Sequence, residues 1–200
     1  MRSERTGSAG ALRSLLEAAE IRPWSGDVWR CHGRRYAADD ATGSLLVTGR
    51  FHPGRDRFSE DDIWPALYTG LALHVALGER LRHTTPATLS KLAHQTISQL
   101  HLELGAVLVL CAGSDCARVC TPDIQPEDLC RPADYVLTHR IARAARERAE
   151  AMLVPSCTRF PEGNLIIFPD CLHSGSSLTL VETLNPALFV DWSRVATTGE

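Results

Sequence analysis

The side chains that first suggest chemistry in this sequence are its cysteines. Cys111, Cys116, Cys120 and Cys130 have four, three and nine residues between them, and soft thiolates grouped along a chain are what a structural zinc ion selects. Zinc sites of that kind hold close pairs on tight turns, and the sequence contains no Cys-x-x-Cys pair. No metal is therefore expected. A Cys/His metal-dependent interaction protein ranks lowest among the readings weighed. An odd total of seven cysteines without a tight framework points to reduced thiols. A nucleophilic pair such as Cys157 with His173 has no supporting motif, and Walker loops, Gly-x-Gly-x-x-Gly turns and Gly-x-Ser-x-Gly elbows are absent from the sequence. Arg140, Arg143, Arg146 and Arg148 suggest an anion surface, but the interleaved Glu147 and Glu150 favour a solvated helix face.

A second set of residues is less obvious. The apolar run ALYTGLALHVALGE (66–79) ends on one carboxylate, Glu79, eleven positions after Tyr68. Arg30 lies in VWRCH, Arg50 follows SLLVTG, and Ser156 follows MLVP. Each alone has an ordinary structural reading. An arginine on a strand pairs with a carboxylate, a tyrosine packs, and Glu79 pairs with Arg82 or His83 for about 0.5 kcal/mol.

The elements that must position these groups follow from periodicity. Residues 10–20 predict an amphipathic helix, which IRPWSGD breaks, and 28–32 and 44–51 predict strands. Residues 66–69 predict a strand and 70–83 a helix, because Leu and Ala dominate there and Val75 is the one β-branched residue of 70–79. A helix over 85–100, a buried strand over 101–111, a basic helix over 133–152 and strands over 152–156, 164–170 and 177–190 complete the chain. Strands mixed with segregated helices, without a βαβ rhythm, indicate an α+β fold.

Composition sets outer bounds. Two hundred residues, 44% hydrophobic and 22% charged, suit one soluble domain. A net charge of -3 does not favour nucleic acid as a partner. The sequence has neither a signal-peptide core nor an apolar run long enough to span a bilayer, so no membrane association and a cytoplasmic location are expected.

Taken together, VWR at Arg30, TGRFHP at Arg50, ALYTGLALHVALGE from Tyr68 to Glu79, and MLVPSCTRFPEGNLIIFPD around Ser156 resemble the RES domain family, named for its Arg, Glu and Ser. The resemblance covers roughly residues 27–190. As a domain it is drawn over 27–193, with 1–26 as an N-terminal helical extension. It implies an ADP-ribosyltransferase-like mixed β core with flanking helices, and a bacterial toxin that consumes NAD as substrate, with no separate cofactor. It also implies a cognate antitoxin partner. By motif, Glu79, Arg30 and Tyr68 would be catalytic, and Arg30, Arg50, Tyr68 and Ser156 would bind NAD. The family usually reads Gly-Gly-Arg, aromatic, Asn, Pro where this chain has Thr48 and His52, and a tyrosine can stand at Cys31. These departures bear on positioning and rate more than on reaction type.

The implied chemistry suits these residues. Guanidinium forks match a pyrophosphate, and an aromatic face holds a flat cationic nicotinamide. Nicotinamide leaves as a neutral ring, so one carboxylate suffices to stabilise the oxocarbenium-like centre. The acceptor would be water, inorganic phosphate or a protein side chain. Phosphorolysis or hydrolysis ranks above an ADP-ribosyltransferase acting on protein, and a weakened NAD or ADP-ribose binding module of the same fold is the other alternative.

Overall fold

The computed structural model describes residues 9–82, 84–85, 92, 94–112, 115–130, 134–158 and 160–186. Helix α1 (Ala9–Ala18) leads into β1 (Glu20–Gly33), β2 (Leu67–Gly70), α2 (Leu73–Leu81) and the long β3 (Gln95–Val109). A two-stranded ribbon, β4 (Cys111–Ala112) and β5 (Asp115–Val119), precedes α3 (Pro126–Cys130) and α4 (Val136–Arg146). Then come β6 (Ala151–Val154), β7 (Asn164–Ile167) and β8 (Ser177–Leu184).

The main sheet runs β1-β2-β7-β6-β3-β8, and β1 also pairs with β3, so five strands form a ring with β8 outside it. All these pairings are antiparallel except β3 with β6. The ring is narrowest between β1 and β2, joined through Trp29 and Gly70. The driving force for this closure is burial on both faces of β6 and β7, which explains why each reads as a continuous apolar run. Met152, Val154 and Ile166 face a core shared with Leu15, Phe51, Ile141 and Ala145, under α1 and α4. Their neighbours Leu153, Leu165 and Ile167 face the opposite core, with Val28, Leu67, Leu100 and Leu102. That alternation is the two-residue period of a strand.

β3 changes sides midway. Leu100, Leu102 and Leu104 share a core with Val107 and Val109, so the parity shifts between Leu104 and Val107. Opposite this shift β1 breaks register between Arg22 and Trp24. Pro23, which has no N–H to donate, thus sits at a bulge, where a strand tolerates proline. The bulge amide of Ala106 is satisfied by the Glu150 carboxylate at 2.8 Å.

Several expectations are corrected by these pairings. IRPWSGD does end the helix, as expected, but the strand expected over 28–32 starts well before it, at Glu20, because β3 supplies partners on both sides of the proline. Residues 44–51 form a 3-10 turn (Thr42–Leu45) and a tight Gly49–His52 bridge, with Leu46 and Val47 exposed, instead of a strand. The helix expected over 85–100 is overridden from Gln95 onward by β3, whose edges are taken by β1 and β8; residues 86–91 lie outside the described set. The basic helix is shorter than 133–152, ending near Arg146 as the chain enters β6. Glu150 is not solvated. Its side chain is fully buried, accepting from the amides of Ala106 and His173 and from the Ser176 hydroxyl.

The Cys157–His173 pairing does not form, since His173 sits against Glu150 and Cys157 against Arg50. Among the described residues, no three His, Cys, Asp or Glu side chains gather to hold a metal. No helix among them is long and apolar enough to cross a membrane.

Candidate active site

Glu79 sits on α2 one turn after Val75 and Ala76, which are buried. Gly78 lets the chain after β6 pass close by. A Cβ at Gly78 would lie 2.9 Å from Thr158 Cγ2, so only a bare backbone admits the turn that carries Ser156 and Cys157. Three donors then converge on Glu79 Oε1: the Ser156 hydroxyl at 2.8 Å, the Cys157 amide at 2.7 Å and the Asn164 side-chain amide at 2.7 Å. Arg82 donates to Oε2 at 2.9 Å.

The charge state of Glu79 follows from this cage. Burial pushes its carboxyl up, but the Arg50 guanidinium, the Asn164 amide, the Cys157 N–H and the Ser156 hydroxyl together hold it below the usual carboxylate range. It is an oriented anion at neutral pH. A carboxylate has about four acceptor sites, and Oε2 meets one protein donor here, leaving room for one more.

Arg50 occupies the tip of the Gly49–His52 turn. A Cβ at Gly49 would meet His52 Cε1 at 2.2 Å, so the His52 ring can fold over that turn only because position 49 is glycine. Phe51 points into the core, while Arg50 donates to the Cys157 sulfur and, at 3.4 Å, to the Cys130 carbonyl. Burial pulls the guanidinium down, and Cys157, Glu79 and Tyr68 more than offset it, so Arg50 stays charged.

Tyr68 on β2 holds that turn in place. Its hydroxyl accepts from the Phe51 amide at 2.8 Å and contacts His52 Nδ1 at 2.9 Å. His52 Nε2 faces the Val47 carbonyl at 2.9 Å, an acceptor only, so Nε2 carries the proton and Nδ1 accepts from the tyrosine. Burial lowers the His52 pKa and keeps the ring neutral in this role. Burial likewise raises the Tyr68 pKa, so the phenol keeps its proton. With its one proton given to His52, Tyr68 has no donor left and offers a ligand chiefly its ring.

Arg30 is placed differently. Its guanidinium donates to the Ala38 carbonyl and, at 2.8 Å, to the Asp40 carbonyl, tying down the segment after β1. Burial draws its pKa down to about 10, which leaves it charged at pH 7.

Glu79 borders a cavity of about 600 Å³, lined in part also by Arg50, Tyr68, Arg80, Arg82 and Asn164. Three guanidiniums against one carboxylate make it anion-seeking. Neither Arg30 nor Ser156 is in this wall; Cys31, next to Arg30, is, and Ser156 reaches it only through Glu79. A second cavity of about 750 Å³ adjoins it, sharing Thr48 and Tyr135.

The RES domain model matches residues 27–184. This chain belongs to the RES domain family. The RES fold here is similar to a chain in the crystal structure of the M. tuberculosis MbcT–MbcA toxin–antitoxin complex, with a TM-score of 0.66 and 20% identity. The match covers 94% of this chain and 98% of that one. No curated protein matches by sequence. The RES match begins at residue 27, whereas β1 begins at Glu20 and pairs with β3 from that residue onward.

Of the RES residues read from the sequence, the structure brings Arg50, Tyr68, Glu79 and Ser156 together and sets the Arg30 side chain apart. Arg80, Arg82 and Asn164 were missed as site residues. Asn164 had a signal, being the one polar residue opening the apolar run NLIIF. Arg82 had one too, three residues after Glu79 on a helix. Arg80 had none.

Proposed function

We propose that this RES protein is a toxin enzyme of ADP-ribosyltransferase-like fold that cleaves the nicotinamide–ribose bond of NAD by phosphorolysis or hydrolysis, depleting the cell of NAD. The observation that carries this reading is the Glu79 carboxylate, caged by three donors and facing an anion-seeking cavity. A carboxylate held this way cannot turn aside to relieve itself of charge. Its free acceptor site at Oε2 is suited to a ribose hydroxyl, and its negative charge to the oxocarbenium-like centre formed as nicotinamide departs.

Arg50, Arg80 and Arg82 would receive the pyrophosphate. Arg80 is the most available of them: its Nε is buried with no protein acceptor among the described residues, a condition that an anionic ligand would relieve. The Tyr68 ring would stack on nicotinamide for about 0.5–2 kcal/mol. Ser156 would act through Glu79, and Arg30 through the shape of the 34–41 segment. His52 makes a Tyr68 clamp of its own where the family carries Asn, which supports a working site over a weakened binding module.

Similarity to a chain of a toxin–antitoxin complex supports a cognate antitoxin as partner. A cytoplasmic location would suit both partner and substrate.

The test is to incubate purified protein with NAD, with and without inorganic phosphate, and to follow nicotinamide release and the second product by mass spectrometry. Phosphorylated ADP-ribose would mean phosphorolysis, and ADP-ribose hydrolysis. No release above a Glu79→Gln control in either buffer sinks the reading.

A further inference from the structure

Beside the carboxylate lies a pair of thiols that the NAD chemistry does not use. Cys157 follows Ser156 in the turn after β6, and Cys130 closes α3. The Cys157 sulfur receives the Arg50 guanidinium and lies 3.0 Å from the Cys130 carbonyl. The Cys130 sulfur lies 3.6 Å from the Pro155 carbonyl, two residues before Cys157. The Cys157 thiol therefore rests against the backbone of Cys130, and the Cys130 thiol against the turn that carries Cys157. Both are half-buried, and Cys130 also lines the cavity.

We propose that Cys157 and Cys130 form a peroxide-oxidisable pair, a modification site in the cavity wall that closes to a disulfide and takes Arg50's sulfur partner away.

The step is a two-electron oxidation. The Cys157 thiolate attacks one oxygen of hydrogen peroxide, the O–O bond breaks, and the departing hydroxide takes a proton to become water. Cys157 is left as a sulfenic acid. The Cys130 thiol then loses its proton and attacks that sulfur, the S–O bond breaks, and a second water leaves. Two thiols are oxidised as one peroxide is reduced to two waters.

The surroundings select this pair from the seven cysteines. As a thiol, Cys157 donates to the Cys130 carbonyl and accepts from Arg50. As a thiolate, it keeps the Arg50 guanidinium as partner, and a turn of the Cys130 S–H away from the Pro155 carbonyl would add a second. The thiolate form is the better served: the Cys130 thiol and Arg50 outweigh burial and Glu79, lowering Cys157 to about 7. Cys130 moves the other way, upward, because its proton is held by that bond. Elsewhere burial raises Cys31 to about 11 and also raises Cys120 and Cys171, while Cys111 and Cys116 are buried. Thiolate character therefore favours Cys157 over the other cysteines.

The experiment reads sulfur directly and needs no NAD turnover. Reduced full-length protein is treated with hydrogen peroxide, the remaining thiols are alkylated, and peptides are mapped without reduction. A Cys130–Cys157 linked peptide should form first and vanish with dithiothreitol. Cys130→Ser should trap the sulfenic acid at Cys157, labelled by dimedone, and Cys157→Ser should abolish both products. The Cys130→Ser arm and the wild-type map stand even if Cys157→Ser does not fold. A first linkage through any other cysteine, or a Cys157 sulfenic acid that persists beside a free Cys130 in the wild type, overturns the proposal.

Discussion

The side-chain amide of Asn164 donates to Glu79 at 2.7 Å across 85 residues of sequence. It joins the first residue of β7 to the carboxylate on α2, and it lets the ring of strands determine where that carboxylate points.

Replacing Asn164 with Ala should lower the rate of nicotinamide release by about tenfold, roughly one lost charge-assisted hydrogen bond. KM should move less, because Asn164 acts through Glu79. The acidic limb of the pH–rate profile should shift upward, since the amide is one of the groups that hold the Glu79 pKa down. A profile unchanged in shape would show that Asn164 does not position the carboxylate.

Glu79→Gln should cost about 10²–10³-fold in kcat, the usual loss when one preorganised electrostatic contact to a transition state is removed. Stability carries a matching pH signature. A carboxyl whose pKa is lowered on folding contributes stability above its unfolded pKa and loses it as pH falls through the folded one. The wild type should thus lose more stability than Glu79→Gln on acidification below about pH 4, read from melting curves of both.

Arg30 and Arg50 should separate under the same change. Arg50→Lys loses the planar fork at the cavity and should reduce kcat/KM by about tenfold or more. Arg30→Lys should chiefly destabilise, by about 1–2 kcal/mol, because it loses one of two carbonyl bonds outside the cavity wall. Denaturant melts and steady-state kinetics on both variants distinguish the two roles. Equal kinetic losses would place Arg30 in the site after all.

His52 makes the fold acid-sensitive. Its pKa is lowered in the folded chain, so its contribution is complete above the unfolded value near 6.5 and is lost as pH falls toward the folded one. His52→Asn should flatten the decline in melting temperature between about pH 7 and pH 5. The slope should not vanish, because His32 is lowered by burial too and remains.

Much of the site was legible in the chain because its members are chemically distinctive. A lone carboxylate after an apolar run, a Pro-Ser after a buried strand and two arginines near aromatics are readable residue by residue, and local periodicity placed β2 and α2 around Tyr68 and Glu79. The strands 28–32 and 101–111 were likewise seen, as parts of longer ones. What local reading could not see was how far β1 and β3 extend, because strand length depends on a partner that lies elsewhere in sequence. Pro23 argues against a regular strand, and the threonines near residue 96 only weaken the reading of that segment as a helix, until the pairing of the two segments decides both.

By itself, then, the sequence determined membership of the RES family and singled out Arg50, Tyr68, Glu79 and Ser156 as candidates, since side-chain chemistry and order are one-dimensional facts. The fold decided the rest: that Arg80 and Arg82 line the cavity while Arg30 braces a loop, that His52 clamps Tyr68, and that Glu150 is buried. Each of these depends on which backbone amides and carbonyls meet once the strands close into a ring, and closure is set by burying both faces of β6 and β7 at the same time.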